Sequence, residues 1–226
     1  MHYKMAIFDL DDTLMDFKGS QAVALKSVLR SRASPSNFTT HLDSFRRINN
    51  DLWSRFERQE ITKEQVVVTR FSEFFSHHKI AACAETANAE FMSHVSEQTI
   101  LTENAINVCA KLSKHVPLGI ITNGVAKVQR TRLEKAGLLP HFSFVCVSED
   151  CGFAKPQAEI FHYALQKHPH LEKILMIGDR LDADIQGAHN AGLASCWFNP
   201  TNAENNTDTK PHHEIKDLAE VLPLFF

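Results

Sequence analysis

The sequence predicts an α/β fold, a doubly wound Rossmann-like parallel sheet carrying an inserted helical cap domain, and three observations predict it. Short apolar runs bounded by Gly, Pro, Asn and Asp recur along the chain, as strands buried on both faces do. Helical stretches with their own stop signals separate those runs, the alternation that builds a parallel sheet. Residues 15–96 break the alternation with helical patterning alone.

Taken in order, "MAIFDL" (Met5–Leu10) is the first strand. It is followed by "SQAVALKSVLRSR", "LDSFRRINNDLWSRFERQ", "TKEQVVVTRFSEFFSHH" and "AETANAEFMSHVS", whose apolar residues fall at three- and four-residue spacing. Val66–Val68 lean toward strand, but their surroundings overrule them. A crossover between parallel strands needs far fewer residues, so this segment is expected to fold beside the sheet as a cap over 15–96, with 1–14 and 97–226 forming the core. The sheet then resumes with "PLGIIT" (Pro117–Thr122), "FSFVCVS" (Phe142–Ser148), "KILMIG" (Lys173–Gly178) and "ASCWFN" (Ala194–Asn199). Between them, "VAKVQRTRLEKAG" stops at Gly137, and "DADIQGAHNAG" opens with acids and stops at Gly192, as helices do. The polar run from Asn199 to Glu214 reads as an exposed loop before a last short strand and helix.

Composition narrows the partners. A chain of 226 residues can bury a core without disulfides. A net charge of −3 with a pI near 6.5 leaves no electrostatic footprint for nucleic acid or an anionic membrane surface. Five cysteines without a CxxC pair, and no signal or spanning segment, fit reduced thiols in a cytoplasmic protein, a monomer or homodimer acting on small molecules. The cysteines read as core filler. The thirteen histidines include His77-His78, His168-Pro169-His170 and His212-His213, which lack zinc-site spacing and cysteine companions and read as solvated surface.

The chemistry lies at the strand ends, where open parallel sheets bind ligands. The first strand runs into Asp9, Asp11 and Asp12; the second ends in Thr122-Asn123-Gly124; Lys155-Pro156 follows the third; Gly178-Asp179 ends the fourth, with Asp182 and Asp184 just beyond. Carboxylates crowded at the end of a buried strand need counter-charge, and convergence of these groups would supply it through Lys155 and a metal ion. Each motif alone has a plainer reading. Lys155 before a proline can open a helix, Thr122-Asn123-Gly124 can be a turn, and Asp182 reads best as a helix-start acid.

Together, "DLDDT" at 9–13, Thr122 in "IITNG", Lys155 in "KP" and "GDRLDAD" at 178–184 resemble, in order and position, the four motifs of the haloacid dehalogenase-like phosphatases. The resemblance covers the whole chain, cap included. It implies an aspartyl-phosphate mechanism with Asp9 as nucleophile and Asp11 as general acid and base. Asp12 points elsewhere and is structural. The resemblance further implies Mg²⁺ held by the Asp9 carboxylate, the Asp11 backbone carbonyl and Asp179, with Asp184 supporting, while Thr122, Asn123 and Lys155 bind the phosphoryl group. Dehalogenases of the same superfamily lack the second aspartate, since a halide leaves without a proton; Asp11 therefore favours a phosphate ester.

The cap segment Asn49–Phe71 resembles that of the pyrimidine 5′-nucleotidase branch, and Phe17, Trp53 and Arg70 are the residues expected nearest a base and sugar. The expected partner is thus a small phosphate monoester, a nucleoside monophosphate first. Phosphoglycolate, a sugar phosphate or a mutase reaction would use the same catalytic residues. A non-catalytic scaffold would be expected to have lost Asp9, Asp11 or Lys155, and all three are present.

Overall fold

Strand β1 (Met5–Phe8) is wholly buried, and its alternate side chains serve two different cores. In the computed structural model, which describes residues 2–32, 37–168 and 172–226, β1 sits inside a six-stranded sheet with β2 (Leu118–Thr122), β3 (Phe144–Val147), β4 (Ile174–Gly178), β5 (Ala194–Phe198) and β6 (His213–Ile215). The order is β3-β2-β1-β4-β5-β6, and every pairing is parallel. Ala6 and Phe8 pack with Leu118, Ile120, Leu175 and Ile177 on one face. Met5 and Ile7 pack with Ile121, Ile174 and Met176 on the other. The doubly wound sheet expected from the apolar runs is the observed one.

The helices follow the sequence pattern closely: α1 (Phe17–Leu29), α2 (Phe38–Glu57), α3 (Lys63–His78), α4 (Ala84–Glu97), α5 (Ala105–Leu112), α6 (Ala126–Lys135), the short α7 (Ser148–Cys151), α8 (Ala158–Leu165) and α9 (Gln186–Asn190). Helices α5 and α6 contribute to the first core, α8 and α9 to the second. Val66–Val68 are helical, within α3, which Thr62 and Gln65 start with a reciprocal capping box. Two details depart from the pattern. The acids Asp182 and Asp184 stand in a π-helical turn, Leu181–Ile185, ahead of α9, and the last helix, Leu218–Leu224, is 3₁₀. Pro223 inside that last turn lacks the N–H that continued α-helix needs.

The chain divides into two compact units, Met1–Phe17 with Thr99–Phe226, and Lys18–Gln98. The second unit contains its own aromatic core: Phe71 packs against Phe45, Phe75 and Phe91 with ring centroids 4.9, 5.5 and 5.6 Å apart, and Arg32 forks onto Glu90 at 2.8 Å. In the first unit the chain crosses itself where the inserted segment departs and returns. Met15 bridges Leu101 antiparallel, the Asp16 N–H donates to Ile100 O at 3.0 Å, and the Thr102 N–H donates to Leu14 O at 3.1 Å.

All five cysteines are free thiols. Burial pushes Cys109, Cys146 and Cys196 up to about 12, as inert core residues. Cys83 is exposed and Cys151 half-buried, so the expectation that every cysteine fills a core fails at these two, which lie beside helix termini. Among the described residues no helix is long and apolar enough to cross a membrane. Of the histidine-rich stretches, Pro169 and His170 lie outside the described residues.

His212 and His213 are not simply solvated. The buried Ser195 hydroxyl lies 2.9 Å from His189 Nε2 and 3.0 Å from His212 Nδ1, and Tyr3 Oη lies 2.8 Å from His213 Nε2. Burial first, and the neighbouring His212 second, hold His189 and His213 below the usual imidazole range. The unfolded chain therefore takes up protons at these positions before the folded one, and their contribution to stability is lost as pH falls below about 6.5. Asp9, raised by burial, acts in the opposite sense over the same window. A His189→Gln/His213→Gln variant should accordingly lose less stability between pH 7.5 and 5.5 than the parent, measured by urea unfolding; parallel curves would remove the histidines from the linkage.

Candidate active site

Strands β2, β1 and β4 are neighbours, so their carboxyl ends bring Thr122, Asp9 and Asp179 to one place at the point where strand order reverses. Lys155 reaches the same place from the turn before α8, whose N-cap is Gln157, so Lys155 does not open that helix. Its ammonium is buried, and each of its three hydrogens has a partner: Nζ donates to Asp9 Oδ1 at 2.5 Å, Asp184 Oδ1 at 2.7 Å and Ile121 O at 2.8 Å. Burial pulls the Lys155 pKa down, but Asp184 and Asp9 together outweigh it and raise it. Burial pushes Asp9 up to about 7 against the pull of Lys155, with Asp184 and Asp11 adding to the rise. One oxygen of Asp9 is thus held by the ammonium, and no described donor holds the other.

Asn123 fixes the Lys155 backbone. Its Oδ1 accepts from the Lys155 N–H at 2.9 Å, and its Nδ2 donates to Lys155 O at 2.9 Å. The expectation that Asn123 binds substrate directly therefore meets a side chain committed on both sides. Asp184 accepts from the Arg180 N–H at 3.0 Å through its second oxygen. A Cβ on Gly178 would lie 2.3 Å from Asp184 Oδ2, so only glycine leaves room for that carboxylate against the strand end. Asp182 is exposed and pairs with Arg180 at 2.6 Å, away from the cluster.

Among the described residues the one group able to hold a metal ion is Asp9, Asp179 and Asp184, whose carboxylate oxygens lie within 4.8 Å of one another. An all-oxygen, anionic donor set suits a hard divalent cation. The side chain of Asp11 is outside that cluster. Its Oδ2 accepts from Gln129 Nε2 at 2.6 Å and its Oδ1 from Arg132 Nη1 at 2.5 Å. Neither Gln129 nor Arg132 stood out in the sequence; the available signal was their three-residue spacing on the helix that leaves the Thr122 strand end. Asp12 adopts φ 58°, the left-handed region that aspartate tolerates, and its N–H closes the turn onto Met15 O at 2.7 Å, the structural role expected of it.

The three residues expected near a base have different surroundings within their own units. Phe17 belongs to the first unit, where the Arg132 guanidinium lies 5.7 Å from its ring centroid. Trp53 is half-buried on α2, edge-on to Phe56 at 5.7 Å. Arg70 is buried within the second unit. It donates to Asn88 Oδ1 at 2.6 and 3.0 Å and to Asn49 Oδ1 at 3.4 Å, and lies 4.6 Å from the Phe91 ring. Burial lowers its pKa to about 9, which leaves it charged at neutral pH. That guanidinium is an internal strut of its unit.

Residues 6–198 match the haloacid dehalogenase-like hydrolase family, and the chain belongs to it. It is 36% identical over 222 residues to the HAD-hydrolase YfnB of Bacillus subtilis, spanning 97% of this chain and 94% of that one. The pyrimidine 5′-nucleotidase PynA of Streptococcus pneumoniae is 34% identical, with 98% of this chain and 94% of its own covered. The pyrimidine 5′-nucleotidase YjjG of Escherichia coli is 30% identical, with 98% and 97% covered. The crystal structure of YfnB bound to magnesium has the same fold, with a TM-score of 0.90 at 33% identity over 99% of each chain.

Replacing Lys155 by Met would leave Asp9 and Asp184 buried beside each other without their cation. The expected cost is about 3–5 kcal/mol at pH 8. Carboxyls whose pKa is raised on folding stabilise at low pH and lose that contribution as pH rises, so the loss should shrink at pH 5. Urea unfolding in EDTA at both pH values measures this, and an undiminished deficit at pH 5 would contradict the charge argument.

Proposed function

We propose that the protein is a Mg²⁺-dependent phosphomonoester hydrolase working through an aspartyl phosphate, acting on pyrimidine nucleoside monophosphates. The observation that carries the chemistry is the Asp9 carboxylate, with one oxygen tied to Lys155 and the other without a protein donor, beside a second aspartate, Asp11, outside the three-carboxylate cluster. The nucleotide preference rests on the similarity to PynA and YjjG along the whole chain.

In the first half-reaction an Asp9 oxygen attacks phosphorus and the bond to the leaving oxygen breaks. Asp11 gives that oxygen its proton. In the second, a water attacks the same phosphorus and loses its proton to Asp11. The bond to Asp9 breaks, and inorganic phosphate leaves with the carboxylate regenerated. Lys155 neutralises Asp9 throughout and stands ready for charge on the phosphoryl oxygens. The Thr122 hydroxyl accepts from Gln129 Nε2 and from the Gly124 N–H, both at 3.2 Å. Its lone pairs are occupied, and its own hydrogen is the one left to donate to a phosphoryl oxygen. Asp9, Asp179 and Asp184 would hold the magnesium, which supplies positive charge where anionic substrate meets anionic nucleophile.

Exhaustive EDTA treatment should abolish turnover, with recovery on adding Mg²⁺, and Asp179→Asn should raise the Mg²⁺ concentration needed for half-maximal rate. Turnover that survives chelation would exclude the metal. Asp9→Asn, nearly isosteric but not nucleophilic, should lower kcat by more than about 10³-fold while leaving the thermal transition in place. In a phosphate-release screen, UMP, dUMP or dTMP should rank above phosphoglycolate and hexose phosphates. Trp53→Ala should lower kcat/KM for the nucleotide more than for p-nitrophenyl phosphate. A sugar phosphate at the head of the screen would replace the nucleotide reading and leave the Asp9 chemistry standing.

A further inference from the structure

We infer that Gln129 and Arg132 are positioning residues that aim the carboxyl group of Asp11, and that they link it to the phosphoryl-binding hydroxyl of Thr122. The inference rests on the proposed role of Asp11 and extends it to two side chains outside the four motifs. Both lie on α6, three residues apart and so on one helical face, directly after the β2 strand end. Both are buried, and the Arg132 side chain is fully so. A guanidinium withdrawn from water is expensive without acceptors, and Arg132 Nη1 donates to Asp11 Oδ1 at 2.5 Å and to Gln129 Oε1 at 3.1 Å.

The contacts fix Gln129 uniquely. Its Nε2 donates to Asp11 Oδ2 at 2.6 Å and to Thr122 Oγ1 at 3.2 Å, and its Oε1 accepts from Arg132 Nη1 at 3.1 Å. Turning the amide over would set Oε1 against a carboxylate and Nε2 against a guanidinium, so only one orientation satisfies all three neighbours. A Cβ on Gly124 would fall 2.2 Å from Gln129 Nε2, which shows how closely the turn after Thr122 is fitted around this amide. With one donor on each oxygen, rotation of the Asp11 carboxyl about its own axis would cost both hydrogen bonds. The Arg132 guanidinium is itself backed by the Phe17 ring, 5.7 Å from its centroid. These contacts lead to Asp11 and, for Gln129, also to Thr122, and it is through them that the two side chains act on the reaction.

A side chain that only supports the fold would, when altered, slow all substrates alike. One that aims a general acid should matter in proportion to the leaving group's need for a proton. The test compares kcat/KM, which reports steps up to leaving-group departure, for the best alkyl phosphate of the metabolite screen and for p-nitrophenyl phosphate, whose aryloxide leaves with little protonation. Arg132→Gln should lower kcat/KM about 10²-fold on the alkyl ester and under about 5-fold on p-nitrophenyl phosphate. Arg132→Lys, which keeps the charge, should recover about a tenth of wild-type activity on the alkyl ester or more. In an Asp11→Asn background Arg132→Gln should cost nothing further on p-nitrophenyl phosphate, because the residue it acts through is already disabled.

Should Arg132→Gln not fold, as judged by its thermal transition, Gln129→Met, of similar shape but without the amide, should slow both substrates through Thr122 and the alkyl ester about 10-fold more than p-nitrophenyl phosphate through Asp11. Equal losses on both substrates, or additive losses in the Asp11→Asn background, would overturn the inference. Should Asp11→Asn itself fail to discriminate between the two substrates, the assignment of Asp11 as general acid falls first and takes the inference with it.

Discussion

The Lys155 ammonium is the interaction on which the first unit depends. Its three hydrogens tie the end of β1 through Asp9, the end of β2 through the Ile121 carbonyl and the turn after β4 through Asp184. A buried cation is tolerable only when fully bonded, and the carboxylates it bonds are tolerable only beside a cation. The group is therefore interdependent: remove one member and the others become uncompensated charges in a dry place. Asn123 extends the arrangement by gripping the Lys155 backbone on both sides. Three strands that must be adjacent for these bonds to form are adjacent, with β1 between β2 and β4. Electrostatics at the strand ends and hydrophobic packing along the strands specify the same sheet order.

The site divides its acids by environment. Asp9 and Asp184 share the lysine, with Asp179 close by. Asp11, two residues from Asp9, is drawn to different donors on α6. Two carboxylates so near in sequence thus meet different partners and different surroundings. The turn that makes this possible uses Asp12 at φ 58° to fold the chain back on Met15.

Much of this was legible in the sequence, and the exceptions have physical causes. Buried parallel strands announce themselves as unbroken apolar runs because both faces are covered, and all five such runs are strands. The helices of the second unit were legible from their spacing. Motif acids at strand ends could be assembled because topology, once parallel, decides where strand ends meet. Gln129 and Arg132 were not legible, since a polar residue on a helix faces solvent unless a partner from elsewhere draws it in, and that partner is 118 residues away for Gln129. Arg70's bonds were not legible either: it stands four residues from both Val66 and Phe74, on the helix's apolar stripe, yet it bonds to Asn88 and Asn49 within the unit. The π-helical turn around Asp184 could not be foreseen, because its acids look like an ordinary helix start.

The crossing of Leu14–Asp16 with Ile100–Thr102 has a consequence for how such a protein can change over time. The departing and returning segments are fastened to each other by backbone bonds that no side chain specifies. The neck they form closes the core at that point whatever lies between. Loop-closure entropy grows only slowly with length, so the core is nearly indifferent to how many residues the excursion contains. The neck thus acts as a socket. One inserted unit can be exchanged for another of different size without disturbing the register of β1 or the lysine at its end.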